Sequence, residues 1–326
     1  MTPGRIDRGP DLVGAGLVLV AAACFGTLGP LSRFADDAGV GALTLVAWRA
    51  AIGAVVVGAF IGLRLAALGI RPASLRTLPA RDRRFMLAAA VANTILNLAA
   101  FIAFERITIA LTLLVFYLYP AGVALVSTIW FGERLDRLRW SALGISLVGM
   151  ALVVAGAEAL GEIDLLGIGL AFVAALAQVF YVLAARYGFA RVPGPQAAAL
   201  TMSGAAVLYL AIAVATGAVG RLGEPVASSA AFVPVLLAGV IGAGVPTLAF
   251  IVGIRRLSPS RGAILATLEP VVGVGLAAWL LAEQPTPLQL VGGALILAAA
   301  VLLQLGPRGT VADHEAVGAE RGVSGP

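Results

Sequence analysis

The sequence predicts an all-α integral membrane protein with ten transmembrane helices arranged as two inverted five-helix repeats. Three observations predict it. First, 60% of the 326 residues are hydrophobic, only 12% are charged and mean hydropathy is +1.02, whereas soluble domains run near 45–50% apolar and about 25% charged. Second, the apolar residues gather into ten runs of spanning length. Third, the two halves of the chain match each other.

A span needs about 20 mostly apolar residues. The runs cover 12–31, 42–63, 85–104, 108–131, 140–157, 165–185, 197–217, 231–254, 260–281 and 287–305. They are continuous rather than alternating, which makes them helices and not barrel strands. Span 1 follows Arg5 and Arg8 and contains "AAAC" at 21–24, the outline of a signal peptide with a lipoprotein-type cysteine. The run continues past Cys24 through "FGTLGPL", so it is read as a retained span. Span 2 carries Arg49 and the small-residue face "GAFIG" (58–62), suited to a homodimer contact or to packing within one chain. Span 3 holds Asn93 and Asn97, an i,i+4 pair. Span 4 holds Tyr117, Tyr119 and Pro120 and ends at Glu133; span 6 holds Gln178 and Tyr181. Span 8 holds Pro246 and Thr247; span 9 holds Thr267, Glu269 and Pro270 and ends at Glu283. The tail 306–326 is polar and Gly-rich, and a disordered cytoplasmic segment is expected there.

Arginine placement sets the orientation. With the N-terminus inside, eighteen of the 22 arginines fall in inside segments. Arg33, Arg106 and Arg221 lie outside, and Arg49 lies within a span. By the positive-inside rule both termini are cytoplasmic and the span count is even.

The duplication follows from two alignments. "DLVGAGLVLVAA" (11–22) matches "DLLGIGLAFVAA" (164–175) at eight of twelve positions, an offset of 153. At an offset of 150, "YPAGVALVSTIWFGE" (119–133) aligns with "EPVVGVGLAAWLLAE" (269–283). Pro120 then pairs with Pro270, Glu133 with Glu283 and Arg106 with Arg256. Five spans is an odd number, so the second repeat, 165–305, sits inverted relative to the first, 12–157. Inverted repeats are the architecture of many secondary transporters, with substrate near the midplane at the repeat interface.

Composition narrows the chemistry. Every basic residue is arginine, so lysine Schiff bases and a P-loop lysine are absent. The single histidine, His314, lies in the tail, which leaves no membrane Ser-His dyad, HExxH site or histidine proton relay. Cys24 is the only cysteine, so there is no intrachain disulfide or cysteine metal cluster. No Walker motif and no paired intramembrane aspartates are present. The expectation is a non-enzyme with no metal and no cofactor. The arginines sit in short loops between apolar runs, which points to the lipid bilayer as partner and not to nucleic acid.

The segments "FYLYPAGVALVSTIWFGERLDRLRWSALGISLVGMALVV" and "LSPSRGAILATLEPVVGVGLAAWLLAEQPTPLQLVGGALILAAAVLL", with "AWRAAIGA" around Arg49, resemble the drug/metabolite transporter superfamily, EamA type. The resemblance covers residues 12–305, one EamA-like repeat in each half. It implies a multi-pass permease of the bacterial inner membrane, of a kind that commonly exports amino acids, other metabolites or toxic compounds. Tyr119 stands in the first repeat where Glu269 stands in the second, so only one half has an acid at this depth.

The candidate substrate- or proton-binding residues are Glu269, Arg49, Asn93, Asn97, Tyr117, Tyr119, Gln178, Tyr181 and Thr247. The prolines Pro120, Pro246 and Pro270 are candidate kinks, since each removes a backbone donor. Glu133 and Glu283 are candidate gate or helix-end residues, with Arg134 or Arg137 as neighbours for Glu133. Intramembrane ionisable groups are costly and functional by default. Glu269 has two available tasks, pairing with the amino group of a zwitterionic substrate or carrying a coupling proton. Gly262, Ala266, Glu269 and Gly273 form a small-residue stripe expected to leave room beside the acid. The expected function is secondary active transport of a small molecule by alternating access, with proton coupling or exchange; a channel-like facilitator or a non-transporting scaffold are the other readings. A reporter fused to the C-terminus is expected to show cytoplasmic activity; periplasmic activity refutes the arginine assignment.

Overall fold

The structure, a computed structural model, describes residues 11–69, 74, 78–107, 109–133, 135–155, 164–280 and 285–305. The regular structure among them is helical throughout. In chain order the α-helices are α1 (Leu12–Gly26), α2 (Leu28–Asp37), α3 (Ala42–Leu68), α4 (Ala80–Arg106), α5 (Ile109–Phe116), α6 (Tyr119–Phe131), α7 (Arg137–Ala155) and α8 (Leu165–Leu183). They continue with α9 (Gly194–Ala215), α10 (Ser229–Gly239), α11 (Val245–Arg256), α12 (Pro259–Ala266), α13 (Glu269–Leu280) and α14 (Pro287–Leu305). Among the described residues, six stretches are long and apolar enough to cross a membrane: Leu12–Asp37, Ala42–Leu68, Ala80–Ala103, Leu165–Gly188, Gly194–Ala215 and Ser229–Arg256. Tyr119–Phe131 and Pro287–Ala299 are shorter apolar helices. Glu283 and the tail 306–326 lie outside the described residues.

Three runs that the sequence presents as continuous are interrupted, the first at Thr27 between α1 and α2 and the other two as a matched pair. Residues 117–118 form a turn between α5 and α6, and residues 267–268 form one between α12 and α13. The breaks lie 150 residues apart, the same offset that aligns Pro120 with Pro270. A proline has no N–H and its ring clashes with the carbonyl of residue i−4. Pro120 and Pro270 therefore sit at the second position of α6 and α13, where no intrahelical donor is required. The third predicted kink takes another form. Before Pro246 the helix widens into a π turn over Val240–Gly244, and α11 resumes at Val245. A second π turn, Ala184–Gly188, ends α8.

The halves interlock. Helix α1 packs on α11, α4 on α8, α3 on α9 and α7 on α14, so each of these contacts joins a helix of one half to a helix of the other. In a bilayer, helix association rests on close van der Waals packing, and small residues permit it. The α7–α14 crossing illustrates this. A Cβ on Gly149 would stand 2.7 Å from the Gly292 carbonyl oxygen, and one on Gly292 would stand 2.5 Å from the Gly149 carbonyl oxygen. Neither position admits a side chain unless the backbones separate. Gly149→Leu or Gly292→Leu is expected to lower stability by about 1–3 kcal/mol through overpacking. A fall in thermal unfolding temperature in detergent checks this, with Gly144→Leu as control because open space surrounds Gly144.

Candidate functional site

A cavity of about 610 Å³ runs from the middle of the bundle to one end. Its mouth is bordered by Ser32, Arg33 and Asp36 on α2 and by Val40 and Ala42 at the start of α3. This is the end poor in arginine. Most of the sequence-derived candidates line the cavity: Arg49, Asn93, Asn97, Tyr117, Gln178, Tyr181, Thr247, Glu269 and Pro270. Six helices or helix breaks converge to bring them together, although they span more than 200 positions in the chain.

Arg49 is buried on α3, with its guanidinium 5.9 Å from the centre of the Phe101 ring. Its Nε has no hydrogen-bond partner. Glu269 opens α13 and is partly buried, since it borders the cavity. The two groups are within electrostatic reach of one another, yet among the described residues they form no ion pair. The direct Arg49–Glu269 pair that the sequence left open is thus not made. Tyr117 projects from the break between α5 and α6 and faces Glu269. Its hydroxyl makes no hydrogen bond of standard geometry in this conformation, and neither do the Tyr181 hydroxyl and the Gln178 Oε1. Each still has a polar neighbour, Glu269 for Tyr117, Tyr119 for Gln178 and Thr201 for Tyr181, so these are loosely made contacts at the cavity wall. Asn97 donates to the Asn93 carbonyl at 2.8 Å and to the Asn93 Oδ1 at 3.2 Å, which fixes both amides on one face of α4.

Other candidates lie off the cavity wall. Tyr119 is buried behind it, with its ring 6.0 Å from Tyr117 and its hydroxyl beside Gln178. The turn at 117–118 rotates the two tyrosines to different sides, so Tyr119 supports Gln178 from behind the cavity wall. Pro120 and Pro246 are likewise buried outside the lining. The small-residue stripe opens at one end only. A Cβ on Gly262 would meet the Ile254 Cδ1 at 2.5 Å, so that part is filled, whereas Gly273 borders the cavity.

The arginine-rich end is closed. Ser260 donates to the Glu133 Oε2 at 3.0 Å, and Arg139 stands 3.9 Å from the Glu133 Oε1. The cation beside Glu133 is thus Arg139 and not Arg137, which starts α7 exposed; Arg134 lies outside the described residues. Arg255 donates to the carbonyls of Ala185 (3.0 Å), Phe189 (3.1 Å) and Val192, and Arg186 donates to the Arg255 carbonyl. The Phe131 and Tyr187 rings stack at 4.0 Å.

Tyr209 is a cavity residue missing from the sequence-derived set. It is fully buried on α9 and donates to the Thr94 carbonyl at 3.3 Å. Its mid-span position carried the same signal as Tyr181. The mouth residues Ser32, Arg33 and Asp36 were also missed, because the predicted first span stops at residue 31 while α2 runs on to Asp37.

A bundle of interlocked apolar helices around a solute-sized chamber, apolar over most of its wall with a few polar and charged groups converging on it, is the architecture of a multi-pass membrane transporter. The model of the EamA-like transporter family matches residues 12–155 and again 165–305, and the chain belongs to that family. A protein of Bacillus subtilis (strain 168) described as "uncharacterized transporter YxxF" is 26% identical over 205 residues, 62% of this chain. The chain spans 63% of the length of that relative. A solved crystal structure superposes with a TM-score of 0.74 at 21% identity, covering 95% of this chain and 99% of the other; at that identity the likeness concerns the fold.

Ser260→Ala removes one donor from the buried Glu133 carboxylate. A loss of about 1–3 kcal/mol is expected, the range for a hydrogen bond to a charged group, while Ser260→Thr retains the bond. Thermal unfolding of both variants in detergent checks this.

Proposed function

We propose that the protein is a secondary active transporter that exports a small metabolite or amino acid by alternating access, coupled to protons or to exchange. One observation carries the reading: Arg49 and Glu269 border the same cavity, both within apolar spans, without pairing with each other. Opposite charges in low dielectric attract strongly, and a charge at this depth is expensive to leave unmatched. A solute with its own carboxylate and ammonium groups, placed between them, satisfies both. Arg49 then takes the carboxylate, and Glu269 takes the ammonium group or, in the empty protein, a proton. Asn93, Asn97, Gln178, Tyr181 and Thr247 supply uncharged contacts around the rest of the solute, and Tyr117 orients Glu269. The volume falls within the range of small-molecule sites, about 300–1,000 Å³.

The cavity is open at one end and closed at the other, which supports alternating access over a continuous pore. On the arginine assignment, the closed end faces the cytoplasm of a bacterial inner membrane, the chain crosses ten times as two inverted repeats, and this conformation faces outward. In this reading Glu133, with Ser260 and Arg139, is part of the inner gate. Pro120, Pro246 and Pro270 keep the mid-membrane breaks in place, with Tyr119 bracing Gln178.

The twenty common L-amino acids, screened by thermal shift on the purified protein, provide the probes. For any that stabilise it, Arg49→Gln is expected to weaken binding at least tenfold, a loss of about 1.4 kcal/mol or more. In proteoliposomes, Glu269→Gln is expected to abolish the response of flux to a pH gradient while the protein still folds. Wild-type flux with unchanged pH dependence in Glu269→Gln refutes the coupling role.

A further inference from the structure

Two ion pairs lie away from the cavity, one at each end of the molecule. At the arginine-rich end the Arg256 Nε donates to both Asp11 oxygens, at 3.0 and 3.2 Å. At the other end the Arg106 Nε donates to the Asp164 Oδ2 at 2.8 Å. Each acid also caps its helix: Asp11 accepts from the Gly14 N–H at 2.8 Å, and Asp164 accepts from the Leu166 and Gly167 N–H groups at 2.8 and 3.3 Å. Each arginine stands in the last turn of the partner helix, where the helix dipole favours a cation. Beneath each pair a glycine lets the backbones touch. A Cβ on Gly14 would lie 2.8 Å from the Arg256 Cβ, and one on Gly167 would lie 3.2 Å from the Arg106 Cβ. Asp11 and Gly14 align with Asp164 and Gly167 at the offset of 153, and Arg106 aligns with Arg256 at 150. The whole device is duplicated, and each copy crosses from one repeat to the other.

The pairs are solvent-exposed, with side-chain exposures of 47% and 32% in one and 41% and 32% in the other. Exposed pairs of this kind contribute little stability on their own; each acts here together with the helix cap and the close glycine contact at the same helix end, and the three make one joint. The pairs do not behave as gates. A gate contact at the open end must be broken, yet Arg106–Asp164 is made at the end where the cavity opens. In an inverted-repeat protein, exchanging the conformations of the two repeats converts one access state into the other. Under that exchange each pair takes the surroundings of its counterpart. Both are made here, so both are made after the exchange. The Glu133–Ser260 contact differs: the residue that aligns with Ser260 is Ala110, which has no hydroxyl.

We infer that Asp11–Arg256 and Asp164–Arg106 are permanent joints that hold α1 to α11 and α4 to α8 throughout the transport cycle. The four side chains are positioning residues, and the bodies that move are cross-repeat helix pairs, not the repeats themselves. This rests on the alternating-access reading above.

The test replaces each ionic joint by a covalent one. In a Cys24→Ser background, Gly14→Cys/Arg256→Cys and, separately, Gly167→Cys/Arg106→Cys place Cβ atoms close to the spacing of a disulfide, about 3.5–4.5 Å. Thr247→Cys serves as a cavity reporter, labelled with a membrane-impermeant maleimide from either side of oriented vesicles. The readout needs no substrate, and the two tethers at opposite ends are independent trials. With either tether oxidised, labelling from both sides is expected to stay within about twofold of the reduced protein. An oxidised Glu133→Cys/Ser260→Cys tether, by contrast, is expected to suppress labelling from the arginine-rich side. A fall of tenfold or more from one side on oxidising a joint, reversed by reductant, overturns the proposal. Labelling from one side only in the untethered protein overturns alternating access itself, and the joints with it.

Discussion

A bilayer core offers the backbone no water, so a helix can break there only where something else takes the freed groups. This constraint organises the protein. At the break after α12 the Thr267 hydroxyl donates to the Ile264 carbonyl at 2.6 Å, and at the end of α1 the Thr27 hydroxyl donates to the Cys24 carbonyl at 2.7 Å. The third break, after α5, has Tyr117 in place of threonine and turns its ring into the cavity. Because the chain turns at 267–268, Glu269 begins a new helix and borders the cavity. Had α12 run straight into α13, Pro270 would have clashed with the carbonyl one turn back.

The same economy of space governs packing. Helix pairs that join the two halves touch backbone to backbone at Gly149 and Gly292, and glycine backbone to side chain at Gly14 and Gly167. Contacts this short leave no slack, so the helix pairs that join the two halves pack as units. Arg49 and Glu269 stand apart in the cavity wall, charged groups in a largely apolar bundle.

Much of this was legible in the sequence, because a membrane protein writes its architecture in gross composition. The duplicated prolines at 120 and 270 lie at two of the helix breaks, and depth along each span grouped Asn93, Asn97, Gln178, Tyr181, Thr247 and Glu269 before any coordinates, while Arg49, nearer one face, stood out as a charge within a span. What depth does not encode is azimuth. Tyr117 and Tyr119 lie at the same level, and only the turn between α5 and α6 decides which one lines the cavity. The same limit hid the filling of Gly262 by Ile254 and the choice of Arg139 over Arg137 beside Glu133. Tyr209 carried a readable depth signal. Ser32, Arg33 and Asp36 did not, because α2 continues beyond the apolar run that defined the first span.

The arginine-rich end is sealed largely through Arg255, whose guanidinium reaches the backbone carbonyls of Ala185, Phe189 and Val192. Carbonyls belong to every residue, and they do not titrate. Sequence drift at those three positions therefore leaves the seal's acceptors intact, and so does a change in acidity on that side. The vulnerability is concentrated in one side chain. Lysine, a point charge without the planar fork, is a poor replacement for an arginine that serves three acceptors at once.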